Sequence, residues 1–290
     1  MEAPLSSVHW IEKNEVLDKL LSQEDILTVH PMNQGFEAEV MKISSENESY
    51  VLKVWNKESK PDVRFQIHLL HALVERGLSV PLPVGWGINS NSAQVLLTTF
   101  NGSPIRKANE QLMVHMASIL VQMHQIDVNE LGNIQLPKYD FLDYFFPGAG
   151  EHRDIYQALV SLHSLVKIKQ ERLIHGDFHF ENIVEEDGGC TVIDWTNGQL
   201  GDPRYDFAWA LTLQKIYISE RSAEAFRSAY LSELDICPKE LDVFEALACL
   251  RWLLLVRRGG TPKEPVAIDR AKRLITSHPC LHEWQVWNRA

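Results

Sequence analysis

The sequence predicts an α+β fold in two parts: a small antiparallel sheet lobe over residues 1–100 and a larger, mainly helical lobe over residues 101–290. Three observations carry that expectation. Short β-type runs broken by turn residues fill the first part, apolar residues recur at helical spacing in the second, and the pattern changes at Asn101-Gly102-Ser103-Pro104. With 290 residues and 45% hydrophobic content, the chain has enough apolar side chains for a substantial core.

The elements follow in order. Glu37 to Ile43 alternates loosely, Ser44 to Glu48 supplies a polar turn, and Ser49-Tyr50-Val51-Leu52-Lys53-Val54-Trp55 completes a hairpin. Val63 to Glu75 carries Ile67, Leu70, Leu73 and Val74 at helical spacing and Gly77 ends it, so a helix is inserted among the strands. Leu82 to Ile88 and Gln94 to Phe100 are the next strand candidates, separated by the turn-forming Asn89-Ser90-Asn91-Ser92. Beyond residue 101, Gln111 to Gln125 is the clearest amphipathic helix. Val243 to Val256 is too short for a bilayer and is interrupted by Glu245 and Arg251, so it reads as a buried helix. After the Gly259-Gly260 break, Thr261-Pro262-Lys263-Glu264 has the capping Thr, first-position Pro and following Glu of a helix start.

Composition narrows the function. The 28 Lys and Arg against 39 Asp and Glu give a net charge of −11, which argues against a grip on a phosphate backbone, so no nucleic-acid partner is expected. The excess is spread over both lobes, −5 in residues 1–100 and −6 in the remainder, and is not focused where a polycation would bind. The four cysteines, Cys190, Cys237, Cys249 and Cys280, form no Cys-x-x-Cys pair, which fits a reduced, cytoplasmic setting with neither a zinc ribbon nor a redox dithiol. Met1 to Lys13 lacks the charged and apolar regions of a secretory signal, and no membrane association is expected.

The chemistry concentrates in Leu173-Ile174-His175-Gly176-Asp177-Phe178-His179-Phe180-Glu181-Asn182-Ile183-Val184 and in Thr191-Val192-Ile193-Asp194-Trp195. β-branched apolar runs flank a polar loop, and Glu185 to Gly189 reads as the turn between them. Phosphoryl transfer from a nucleotide needs metal across the phosphates, a cation on them and a group that orients the nucleophile. Asn182 and Asp194 are hard oxygen ligands suited to magnesium, and Asp177 is a suitable acceptor for a hydroxyl proton. His179 is expected to pack the loop, His68, His71 and His124 to be structural or solvent-facing, and Trp195, Trp209 and Trp252 to be core aromatics.

The spacing from Asp177 to Asn182 resembles the protein-kinase catalytic loop, with Gly176 in place of its Arg and Ile193-Asp194-Trp195 in place of Asp-Phe-Gly. Taken with Gly201-Asp202-Pro203-Arg204-Tyr205-Asp206-Phe207, these segments resemble the aminoglycoside-phosphotransferase superfamily, whose kinase-like members phosphorylate antibiotics, choline, sugars and other hydroxyl-bearing compounds. The resemblance runs from about Asn33 to the helical C-terminus, and residues 174–207 are its specific part. It implies a two-lobed protein-kinase-like fold with Asp177 as catalytic base, Asn182 and Asp194 on magnesium, His175 bracing the loop, and Asp206 as a buried structural carboxylate. Lys53, in a strand like the kinase Val-Ala-Ile-Lys strand, would sit on the nucleotide phosphates, Gly35 and Phe36 would lie in the covering loop, and Thr99 and Phe100 would meet the purine of ATP or GTP. Gln66 stands where an acid normally pairs with the lysine, and Asp62, four residues earlier on the same helical face, is the expected substitute.

Only 11 residues separate Asp194 from Asp206 and no Ala-Pro-Glu sequence follows, so the activation segment of a peptide kinase has no room. The expected activity is transfer of the γ-phosphate to a hydroxyl of an antibiotic (aminoglycoside or macrolide) or a small metabolite, with Tyr139 to Phe146 and Ala208 to Tyr217 selecting the acceptor. A catalytically inert nucleotide-binding or scaffold protein of the same fold is the alternative.

Overall fold

The computed structural model describes residues 5–32, 38–46, 48–55, 59, 61–105, 107–260 and 264–289. The chain forms two compact units: one from residues 1–104, 131–134 and 183–196, the other from 105–130, 135–182 and 197–290. The first unit thus takes in residues 131–134 and 183–196 from beyond the boundary expected near residue 101.

The first unit holds β1 (Val8–Lys13), α1 (Glu15–Ser22), β2 (Thr28–Pro31), β3 (Ala38–Ser44), β4 (Ser49–Trp55), α2 (Val63–Glu75), β5 (Pro83–Asn89), β6 (Gln94–Thr99) and β7 (Ser103–Pro104). Its six-stranded antiparallel sheet has the order β1-β5-β6-β4-β3-β2. The predicted hairpin is β3–β4, closed by Ser45 and Glu48, and it pairs Ala38 with Trp55 through to Ser44 with Ser49. Side chains alternate along β4: Tyr50 and Leu52 enter a core with Leu17, Leu20, Ile43, Val84, Val95 and Leu97. Lys53, one residue on, belongs to the opposite face. Each buried core side chain contributes about 1.5–3 kcal/mol by leaving water. The edge strand β1 and helix α1 close this core, α1 turning Leu17 and Leu20 into it. Asn14 caps α1 by accepting from the amides of Val16 and Leu17.

The second unit comprises α3 (Glu110–Gln125), α4 (Phe141–Phe145), α5 (Arg153–Ser164) and β8 (Arg172–Ile174) before the chain re-enters the first unit with β9 (Ile183–Glu186) and β10 (Gly189–Val192). β9 lies between β10 and β7 in a three-stranded sheet. Asp187 and Gly188 turn β9 into β10 with φ of +50° and +80°, the backbone of a two-residue hairpin turn. The chain then returns to the second unit with β11 (Gln199–Gly201), α6 (Pro203–Tyr217), α7 (Glu220–Glu233), α8 (Pro238–Arg257) and α9 (Pro265–Ser277).

Helix α6 is the axis of the second unit. Asp202 caps it, Pro203 occupies its first position, and every residue from Tyr205 to Gln214 is buried as it packs against α7, α8 and α9. The apolar run Val243 to Val256 is the interior of α8, as expected. Helix α9 starts at Pro265 behind Glu264, later than the predicted start; Pro265 takes the first-turn role expected of Pro262, while Thr261, Pro262 and Lys263 lie outside the described residues. Among the described residues no helix is long and apolar enough to cross a membrane.

Candidate active site

Strand β8 ends at Ile174 and delivers His175-Gly176-Asp177, a loop whose backbone is pinned from below by α6. Asp206 is buried, and its two oxygens accept from the amides of His175 (2.9 Å) and Gly176 (2.9 Å), while His124 Nε2 lies 3.2 Å from Oδ2 and its Nδ1 lies 2.7 Å from the Tyr230 hydroxyl. Burial, above all, and the nearby Asp206 carboxylate push the Tyr230 hydroxyl well above its ordinary range, so it stays protonated. Gly176 has a φ of +77°, and a Cβ there would stand 2.9 Å from the carbonyl oxygen of Asn197. That conformation and that approach explain why glycine occupies the position where the protein-kinase loop has arginine. His175 is fully buried, and its Nδ1 accepts from the amide of Asp177 at 3.3 Å. Its ring is thus a brace within the loop.

The Asp177 side chain is 30% exposed and is held on both oxygens. Trp209 Nε1 donates to Oδ1 at 2.9 Å, His179 Nε2 lies 3.4 Å from Oδ2, and the Arg251 guanidinium comes within 3.9 Å of Oδ1. Burial pushes the carboxyl pKa up, but His179, Arg251 and the indole N–H together outweigh it and hold the group well below the usual carboxylate range. Asp177 is therefore ionised at neutral pH, ready to accept a hydrogen bond. Five residues on, a single helical turn over Phe180–Asn182 places the Asn182 side chain so that Nδ2 donates to the Asp177 carbonyl at 2.9 Å and lies 3.1 Å from His179 Nε2. With its nitrogen engaged, the amide's Oδ1 is the atom suited to a hard cation.

In the first unit, Lys53 and Asp194 meet. Strand β4 places Lys53 between Val40 and Leu96, and its ammonium stands 3.2 Å from Asp194 Oδ1, with 23% and 43% of the two side chains exposed. The Lys53 pairing expected with Asp62 or Gln66 is corrected here: Asp62 is the N-cap of α2, its Oδ1 accepting from Phe65 N at 2.8 Å, and Gln66 is buried within that helix. Asp194 itself has a φ of +63°, a conformation uncommon outside glycine but tolerated by Asp, and the Thr196 hydroxyl donates to its Oδ1 at 2.8 Å. Strain of this kind, held in place by a side-chain bond, aims the carboxylate independently of the strand before it.

The other expected nucleotide residues divide. Gly35 and Phe36 lie outside the described residues. Thr99 ends β6 and Phe100 follows it, but both amides are already used: Thr99 N donates to the Leu82 carbonyl and Phe100 N to the Ser49 carbonyl, each at 2.9 Å. The Thr99 hydroxyl accepts from Leu82 N and donates to Asn101 Oδ1, and Lys42 lies over the Phe100 ring at 3.8 Å. Neither amide is therefore a donor to a purine, and any backbone donor must come from a neighbouring residue.

Three residues gain roles that sequence patterning did not give them. His179, expected only to pack the loop, sits between Asp177 and Asn182. Trp209, expected as a core aromatic, is buried but spends its indole N–H on Asp177. Arg251 stacks over Trp209 (4.0 Å) and Phe145 (4.8 Å) and donates from Nη1 to the Gly176 carbonyl at 3.0 Å. Signals existed for two of them. Trp209 follows Asp206 by three residues and so shares its helical face, and Arg251 is the lone cation in an otherwise apolar run.

Taken each in its own unit, the Asn182 amide oxygen and the Asp194 carboxylate are hard ligands of the kind a divalent cation takes, and Lys53 stands beside the carboxylate. Among the described residues no three His, Cys, Asp or Glu side chains form a metal-ligating group. Magnesium shared between one or two protein oxygens and nucleotide phosphates needs none.

The model of the phosphotransferase enzyme family known as APH matches residues 28–247. No curated protein sequence matches. Among solved structures, the choline kinase LicA from Streptococcus pneumoniae is similar at a TM-score of 0.66 and 18% identity, covering 92% of this chain and 98% of that one. A thermostable mutant of aminoglycoside phosphotransferase APH(4)-Ia gives a TM-score of 0.66 and 17% identity over 90% and 99% of the two chains. Amicoumacin kinase hAmiN, in complex with AMP-PNP, Ca2+ and Ami, gives 0.62 and 15% over 94% and 97%. The structural likenesses establish the kinase-like α+β fold, and the family match over most of the sequence establishes the rest: this chain belongs to the APH phosphotransferase enzyme family and is a phosphotransferase acting on hydroxyl groups.

Proposed function

We propose that the protein transfers the γ-phosphate of ATP, with GTP as a possible donor, to a hydroxyl of an antibiotic or small metabolite, with magnesium required. The observation that carries this reading is the Asp177 carboxylate, ionised, part-exposed and fixed on both oxygens, with the Asn182 amide tied to its own backbone carbonyl. Asp177 accepts the hydrogen bond of the acceptor hydroxyl and takes its proton as the phosphoryl group transfers. Because neighbouring charges keep its pKa low, the carboxylate's main contribution is orientation early in the reaction, with the proton arriving late. Lys53 would neutralise nucleotide phosphate oxygens, and Asn182 and Asp194 would hold magnesium, which would supply further charge neutralisation. Gly35, Phe36, Thr99 and Phe100 contribute to holding the nucleotide.

The names of the similar structures support the donor and metal: one of these proteins is in complex with AMP-PNP and Ca2+. They also bracket the acceptor, from choline to aminoglycosides. For this chain, Tyr139 to Phe146 is the candidate acceptor-selecting segment. There the Tyr139 and Tyr144 rings stack at 4.7 Å, and the Tyr144 hydroxyl donates to Asn197 Oδ1 at 2.7 Å.

The test is magnesium-dependent ADP release against aminoglycosides, macrolides, amino alcohols and sugars, with Asp177→Ala as control. Stimulation by one class that the variant lacks, with nucleotide binding retained, supports the assignment. Equal loss of turnover and nucleotide binding in Asp177→Ala would sink the base assignment.

A further inference from the structure

We infer that Trp209 and Arg251 form a two-residue bracket that fixes the orientation of the Asp177 carboxylate toward the acceptor hydroxyl. The inference rests on the proposed role of Asp177 and adds positioning residues that the loop motif does not contain.

The geometry is a closed circuit within the second unit. Trp209 Nε1 donates to Asp177 Oδ1 at 2.9 Å, which commits that oxygen and sets the carboxylate plane. The indole is held in turn by the Arg251 guanidinium, 4.0 Å from its ring, with the Phe145 ring also 4.8 Å from the same cation. Arg251 is itself fixed: its side chain is only 12% exposed, and Nη1 donates to the carbonyl of Gly176, the residue before the base, at 3.0 Å. Three helices, α4, α6 and α8, thus meet on one carboxylate and the peptide that carries it.

Arginine suits this role because a flat guanidinium stacks on an aromatic ring and donates in its own plane at once; lysine does neither well. At 3.9 Å from Oδ1, Arg251 lies beyond hydrogen-bond range, so beside its charge it holds the base in place through Trp209 and Gly176. Oδ1 receives the indole N–H and Oδ2 faces His179 Nε2 at 3.4 Å, so the carboxylate plane is set before the acceptor hydroxyl arrives. Catalysis that depends on orientation is sensitive to such a bracket, since a misplacement of about 1 Å costs about 100-fold in rate.

The experiment compares Trp209→Phe, Arg251→Gln, Arg251→Lys and the Trp209→Phe/Arg251→Gln double variant, using ADP release with the most stimulating acceptor, or with water where none stimulates. Each single variant is expected to lower kcat about 10- to 100-fold with the KM for ATP within about twofold. Arg251→Lys should behave like Arg251→Gln, and the double variant like the worse single one, because both residues serve one contact. Unchanged kcat, a parallel loss of ATP affinity, rescue by Lys, or multiplicative losses overturn the bracket.

A spectroscopic reading works without turnover. Trp209→Phe identifies the Trp209 indole among the resonances of the eight tryptophans, and that N–H should lose protection from solvent exchange in both Asp177→Ala and Arg251→Gln. Retained protection in either overturns the inference. If Asp177→Ala leaves ADP release unchanged, the proposed base has failed, and the indole measurement still decides the bracket.

Discussion

Replacing Asp206 is the most demanding test of how the loop is built. Its buried carboxylate takes the amides of His175 and Gly176, both at 2.9 Å, and stands 3.2 Å from His124 Nε2. Asp206→Ala strands two buried backbone donors, and each unsatisfied group costs about 1–3 kcal/mol, so the expected loss is about 2–6 kcal/mol. For a chain of this size about 2 °C is lost per kcal/mol, which predicts a fall in Tm of about 4–12 °C. Asp206→Asn should fall in between, because its carbonyl serves one amide while its NH2 faces another donor. Thermal melts by circular dichroism and urea titration measure both. The base, next in the chain after Gly176, should shift, lowering kcat more than nucleotide affinity. An Asp206→Ala protein that melts within about 1 °C of wild type would falsify the claim that this carboxylate holds the loop.

Three further outcomes follow from particular contacts. Lys53→Met removes an ion pair with side chains 23% and 43% exposed, so stability should change by less than about 1 kcal/mol while ATP binding measured by calorimetry weakens at least about 10-fold; unchanged binding refutes the phosphate role. Gly102→Ala places a Cβ 2.3 Å from the Glu185 carbonyl at a φ of +118°, and a loss of about 2 kcal/mol or more is expected by urea titration, a neutral result counting against the tight β7–β9 approach. Asp154 donates nothing but accepts twice from Arg257, at 2.8 and 2.7 Å; that hydrogen bonding, opposed by burial, lowers its carboxyl pKa to about 2. A depressed folded pKa means the unfolded state binds the proton first as pH falls, so this stabilisation is complete above about pH 4 and is lost between about 4 and 2. It should amount to at most about 2.5 kcal/mol, and Asp154→Asn should flatten the stability–pH curve in that window.

The fold was legible where local chemistry and periodicity agree. The β3–β4 hairpin, α2, β5, β6, α3 and the interior of α8 each have an alternating or helical pattern bounded by turn residues. β1 and β2 were not, because short edge strands owe their form to pairing: β1 exists by pairing with β5, a contact between residues more than 70 positions apart; α1 carried its signal in Asn14 and in Val16, Leu17, Leu20 and Leu21 at helical spacing, and was overlooked. In the site, motif spacing pointed to Asp177, Asn182 and Asp194 because a catalytic loop is contiguous. The Lys53–Asp194 pair, 141 positions apart in number, and the Trp209 and Arg251 contacts are tertiary facts with no local pattern. The purine edge is a different lesson: side-chain type said nothing of the Thr99 and Phe100 amides, whose partners, Leu82 and Ser49, are set by strand pairing.

The return of residues 183–196 to the first unit has a consequence for exchange and assembly. Ser103 and Pro104 pair with Glu185 and Val184, the Ser79 hydroxyl meets that of Thr191 at 3.0 Å, and Val192 N donates to the Ser79 carbonyl. On the ribosome, the first unit therefore waits for nearly a hundred further residues before its second sheet can close. A chimera made with one crossover near residue 104 would join strands of two parentages across those contacts, whereas a functional graft must carry both segments together. Substitutions in β7 and β9 are accordingly expected to be inherited as a pair.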